Sequence, residues 1–136
     1  SKDPDGANLD RVQVIKGWVD AGGKTHEQVY DVKWSGAETG RKPGANGKLP
    51  PVGNTVDLKT ATYANSIGAA ELSALWTDPT FDPAQKAFYY VRVLEIPTPR
   101  WVAYDVVRYG AKPSSKVTMI QQERALTSPI WYSPAG

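Results

Sequence analysis

"DRVQVIKGWVD", Asp10 to Asp20, carries β-branched residues at Val12, Val14, Ile15 and Val19, and it runs directly into "AGGK", Ala21 to Lys24. A glycine pair between two such runs is a hairpin signal. The run beyond it, "THEQVYDVKWSG", sets Tyr30, Val32 and Trp34 against Asp31 and Lys33, which is the pattern of an antiparallel strand with one wet side. The fold class follows from this pair, because an antiparallel hairpin near the start of a chain calls for further strands on its open edges.

Those strands are sought outward from the hairpin. "FYYVRVLE", Phe88 to Glu95, reads as a strand apolar on both faces but with Arg92 in its middle, and an arginine is rarely fully buried unless paired. "TVDLKTATY" (Thr55 to Tyr63) and "SIGAAELSALWTD" (Ser66 to Asp78) read as two more strands, the second weakened by Gly68 and its alanines. "DPTFDPAQ" then marks a turn by its two Asp-Pro steps. If that turn closes a hairpin with Thr77 opposite Lys86, Glu71 falls opposite Arg92 and the two charges meet. Alternation then puts Tyr89, Val91 and Val93 with Leu72, Ala74 and Trp76 on the core side, and Arg92, Glu71, Phe88, Tyr90 and Leu94 on the other. A face with Phe, Tyr and Leu beside an ion pair is too apolar to stay wet, so these five residues are the candidate structural or interface group.

"IPTPRWVAYDVVRYG" is predicted as a short helix, with Thr98 as cap, Pro99 at the first helical position and Gly110 as its end. "ERALTSPIWY", Glu123 to Tyr132, is predicted as a closing strand interrupted by Pro129, as an edge strand can be. Between Ser35 and Thr55 the chain is rich in Gly, Pro and Lys without hydrophobic period, and it is expected to be a long flexible loop. The expected fold is mainly β, an antiparallel β-sandwich or partly open barrel with at most one short helix, in a single domain over residues 1–136.

Composition narrows the function classes. Sixteen Lys and Arg against fourteen Asp and Glu give a net charge of +2 with no block of like charge, so a nucleic-acid surface is not expected. No apolar run approaches the ~18 residues of a membrane span. There is no cysteine, which excludes disulfides and thiolate metal sites and is as compatible with a periplasmic or secreted setting as with a reducing one.

Catalytic patterns are mostly missing. His26 is the one histidine, so no multi-histidine metal site can be assembled and no cofactor is expected in this chain. "GANGK" (Gly44 to Lys48) lacks the first glycine and the Ser or Thr of a phosphate loop. Asp3, Asp5, Asn8 and Asp10 have calcium-like spacing, but Gly6 comes two positions early and Val14 stands where the bidentate Glu belongs, so an Asx-turn segment is the better reading. Asp78 and Asp82 are accounted for by the Asp-Pro turns, and the five Trp are spread along the chain as core positions are, not gathered as a sugar-stacking platform.

"DPDGANLDRVQVIKGWVD", "DPTFDPAQKAFYYVRVLEIPTPRW" and "ERALTSPIWY" together resemble the C-terminal portion of a bacterial family known as a domain of unknown function. The resemblance implies a longer parent whose upstream region is similar to PHP (polymerase and histidinol phosphatase) metal-dependent phosphoesterases, with His-rich motifs that this chain lacks. "RALTSPIWY" is also similar to the terminal strand of β-sandwich domains appended to such hydrolases. One departure is "PTPRW", where the family pattern has a cysteine at the position of Pro99, and any role of that side chain does not carry over. The expected function is a non-catalytic accessory domain packing on the upstream PHP-like region and shaping its substrate cleft. The alternative is an independent carbohydrate-type binding module.

Overall fold

The structure is a computed structural model, and it describes residues 1–134. The hairpin forms as β1 (Leu9–Val19) and β2 (Thr25–Trp34). Gly23 takes φ +80 and its N–H bonds the Asp20 carbonyl at 2.9 Å, the left-handed position such a short connection needs. β3 (Ala87–Glu95) pairs antiparallel with the other edge of β1. The closing stretch forms β6 (Arg124–Leu126) and β7 (Ile130–Tyr132), both on the far edge of β3. Pro129 sits in the interruption between them, where Thr127 closes the gap by accepting the Val91 N–H through Oγ1 and donating its own N–H to the Val91 carbonyl.

The result is an open antiparallel sheet in the order β2-β1-β3-β6, with β7 also on β3, and a separate two-stranded sheet of β4 (Thr98–Pro99) and β5 (Ile120–Gln121). The mainly β, antiparallel class with one short helix is what forms, and the sheet does not close into a barrel. The helix α1 spans Trp101–Tyr109 and ends at Gly110, φ +65, whose N–H reaches back to the last turn. It begins later than predicted. Thr98 and Pro99 belong to β4, held there by pairing with β5 and by the Arg100 N–H, which donates to the Met119 carbonyl just before β5. Arg100 is the cap residue, with no side-chain capping bond because its side chain has no acceptor.

Thr55 to Tyr63 and Ser66 to Asp78 are not strands. The first folds into a tight turn closed by the Asp57–Thr62 bridge, and the backbone of the second pairs with a strand only at the Leu9–Ala69 bridge. Every edge near β3 is already taken: β1 holds one and β6 with β7 hold the other. Gly68, at φ +79, lies so close to β1 and Ile96 that a Cβ there would stand 2.6 Å from Ile96 Cγ2, so the chain crosses this point instead of joining the ladder.

Of the buried apolar side chains, Ala7, Leu9, Ile96, Val102 and Ala103 come from around the start of β1, the end of β3 and the first turn of α1, and Ile15 lies further along β1. Asp10 is buried among them. It is skipped in the register, where Leu9 faces Glu95 and Arg11 faces Leu94, and such a bulge turns a side chain out of the pleat. Its carboxylate accepts from Arg41 Nη2 at 2.6 Å, Arg11 Nε at 3.1 Å and Gln122 Nε2 at 3.1 Å. Arg41 thereby ties Ser35–Thr55 to β1, and it also donates to the Pro50 carbonyl.

Candidate functional site

Alternation divides the sheet into two faces of different chemistry. On one, Val14, Lys16 and Trp18 of β1 stand opposite Val91, Tyr89 and Ala87 of β3. Residues 76–81 lie over this face as a strap. Trp76 packs against Tyr30 and Tyr89 at 5.0 and 6.4 Å between ring centroids, and Phe81 meets Tyr132 edge-on at 4.9 Å.

A buried ion pair holds the strap down. Lys16 Nζ lies 2.6 Å from Asp78 Oδ2, with side-chain exposures of 3% and 7%. It also donates to the Thr80 carbonyl at 2.8 Å, and its charge lies 5.1 Å from the Trp18 ring centroid. Asp78 further accepts from the Tyr89 hydroxyl at 2.7 Å and the Thr80 N–H at 2.8 Å. Burial by itself would raise the Asp78 carboxyl, but the hydrogen bonds from Lys16, Tyr89 and Thr80 outweigh it and hold it at about 2. Tyr89 is pushed up, first by burial and then by the Asp78 carboxylate.

Beside the strap runs a groove of about 550 Å³ whose walls include Trp76, Phe81, Tyr89, Ile130 and Tyr132. Several of its polar groups are engaged within the chain: Tyr89 with Asp78, the Tyr132 hydroxyl with the Pro83 carbonyl at 3.0 Å, Thr127 Oγ1 with the Val91 N–H. What it offers a visitor is chiefly carbon.

The second face carries Gln13, Ile15 and Gly17 of β1 opposite Arg92, Tyr90 and Phe88 of β3, and beyond them Leu126 and Trp131. Phe88 lies flat on the Gly17 backbone, where a Cβ would come within 2.3 Å of its Cζ. It stacks with Tyr90 and tilts against Trp131 at 5.2 Å. Leu126 and Trp131 are 61% and 72% exposed.

Of the predicted group, Phe88, Tyr90, Arg92 and Leu94 share this face, and Glu71 does not join them. Arg92 faces Gln13 and Leu126, not Glu71, and Glu71 is exposed in the segment that failed to become a strand. The predicted Glu71–Arg92 pair is therefore replaced by a polar relay. Arg92 Nε donates to Gln13 Oε1 at 2.8 Å, and Gln13 Nε2 donates to Asp31 Oδ1 at 2.7 Å. Arg11 Nη1 stands 3.5 Å from Asp31 Oδ2.

The Lys16–Asp78 pair was not anticipated. The available signal was Lys16 alternating with Val14 and Trp18 in a strand otherwise apolar on that side. His26, the lone histidine, bonds Asp20 at 2.7 Å and stacks on Trp18. Among the described residues no three His, Cys, Asp or Glu side chains form a group that could hold a metal ion, and no helix is long and apolar enough to cross a membrane.

Comparison with curated proteins and with solved structures returned no match. The family model described as a protein of unknown function (DUF3604) matches residues 1–134, nearly the whole chain with both sheet faces included, and the chain belongs to that family.

Proposed function

We propose that this chain is an accessory, non-catalytic docking module that packs through its sheet on another region of its parent polypeptide, the upstream PHP-like metal-dependent hydrolase region that the sequence resemblance implies, and helps to shape the substrate cleft there. The observation that carries the reading is the exposure of large apolar side chains on one face along β6 and β7: Leu126 at 61% and Trp131 at 72%, opposite Arg92 and Phe88 and beside Tyr90. Single exposed apolar residues are ordinary, whereas a contiguous group marks an interaction surface.

Total surface supports it. The chain exposes 9111 Å², while a compact monomer of its 14.8 kDa exposes about 7,000 Å². The surplus, roughly 2,000 Å², exceeds the ~800 Å² that one partner contributes to a standard interface. A carbohydrate-type module is less well supported, because sugar sites combine stacking with convergent free polar groups, and the Asp78 carboxylate and the Tyr89, Thr127 and Tyr132 hydroxyls of the groove are bonded within the chain.

The test is hydroxyl-radical footprinting of the 136-residue chain and of its parent. Trp131 and Leu126 should be oxidised readily in the isolated chain and protected in the parent. Equal oxidation in both would refute docking through this face.

A further inference from the structure

We propose that Arg92 is a carboxylate receptor within the docking face, and that the surface covering this face presents an Asp or Glu side chain to it. The inference rests on the docking reading and adds to it the chemistry of the contact. Arg92 stands in the middle strand, flanked by Gln13 and Leu126. Its Nε is spent on the neutral Gln13 amide. Among the described residues its Nη1 and Nη2 make no hydrogen bond and no ion pair. No buried side-chain nitrogen or oxygen lacks a partner, so these two atoms reach solvent.

The relay fixes the fork without neutralising it. Asp31, the carboxylate at its far end, is engaged by Gln13 and Arg11 and separated from Arg92 by the whole Gln13 side chain. Arg124, opposite Leu94 on the same face and exposed, adds a second positive charge. A guanidinium held through Nε presents Nη1 and Nη2 side by side, the geometry that takes a carboxylate in bidentate fashion. Covering it without an anion would strand a desolvated charge, a cost of several kcal/mol. The apolar surroundings, Leu94, Tyr90 and Leu126, are those in which an arginine becomes an interface anchor. The partner patch is therefore acidic at its centre and apolar around it.

The experiment uses the parent protein and the 136-residue chain, each as wild type, Arg92→Met and Arg92→Lys, with phenylglyoxal to label arginine and hydroxyl radicals to label Trp131. Expected for wild type is a fall in Arg92 labelling of about tenfold or more from chain to parent, the population shift given by about 1.4 kcal/mol. Arg92→Met in the parent should restore Trp131 oxidation toward the level of the free chain, and Arg92→Lys, which keeps the charge and loses the fork, should restore it in part. Added salt should mimic the Met variant. Protection of Trp131 that survives both substitutions, or Arg92 labelled equally in chain and parent while Trp131 is protected, overturns carboxylate capture and leaves docking standing. Trp131 exposed alike in both wild-type proteins overturns docking itself, and carboxylate capture with it. Should Arg92→Met fail to fold, Arg92→Lys and wild-type labelling decide.

Discussion

Lys16→Met removes the charge that fastens the strap while keeping the aliphatic stem against Trp18 and Tyr89. Lys16 Nζ loses three acceptors: Asp78 Oδ2 at 2.6 Å, the Thr80 carbonyl at 2.8 Å and Thr80 Oγ1 at 3.2 Å. Asp78 keeps the Tyr89 hydroxyl and the Thr80 N–H, but it is left buried without a counterion. Removing one member of a buried pair costs about 3 to 5 kcal/mol, and the surviving donors place this case near the lower end. That is a large share of the ~5 to 15 kcal/mol that stabilises a domain. Urea unfolding followed by tryptophan fluorescence measures it.

The pH dependence supplies the sign. With its carboxyl at about 2 against the ordinary 3.8, folded wild-type Asp78 contributes roughly 2 kcal/mol above about pH 4, and this is lost as pH falls toward 2. In the Met variant the hydrogen bond from Lys16 that lowers the carboxyl is gone, so the carboxyl sits higher than in the wild type, less stability is lost on protonation, and the deficit should shrink in acid. A deficit under about 1 kcal/mol at neutral pH, or one unchanged between neutral pH and pH 3, would refute the assignment of Lys16–Asp78 as the latch.

Gly17→Ala should destabilise by about 1 to 3 kcal/mol, because its Cβ meets the Phe88 ring; part of the loss should return when Phe88→Leu is added, read in the same urea titration. Asp10→Ala removes the carboxylate acceptor shared by Arg41, Arg11 and Gln122, and amide exchange between Ser35 and Thr55 should accelerate most around Arg41. In the wild-type chain that segment is expected to exchange fastest over Gly44–Lys48, away from the Arg41 anchor, and uniform strong protection would count against a flexible loop. Metal analysis of untagged protein should find no stoichiometric zinc or manganese, in keeping with one histidine and no cysteine.

The hairpin, β3, the interrupted closing strand and the stop of α1 at Gly110 were all legible, since each rests on a local signal: a glycine pair, alternation, a proline, a left-handed cap. Strand neighbours were not. Phe88 to Glu95 read correctly as a strand, yet its partner was sought in the segment just before it, whereas it pairs with β1, some 75 residues back. Local pattern says which residues form a strand and leaves open which edge it finds. The assignment of Ser66–Asp78 failed because more segments looked like strands than the sheet had edges, and the weakest, broken by Gly68, was left out. With it went Glu71 as the partner of Arg92. The faces of Phe88, Tyr90, Arg92 and Leu94 were legible because a period of two within one strand does not depend on its neighbours.

Arg92 and Lys16 make an informative contrast, since both are cations in the middle of strands of the same sheet. On the face that the chain covers with its own strap, Lys16 has a carboxylate at 2.6 Å. On the other face Arg92 has only a neutral amide. Where the fold desolvates a charge it also supplies the counterion, and where it does not, water solvates the two Nη atoms at little cost. The charge on Arg92 thus adds little to the isolated chain and matters when the face is covered. An acidic partner gains a charge-assisted pair, and a partner without one meets a penalty of several kcal/mol. The apolar residues around Arg92 would accept many covers. The arginine is what selects among them.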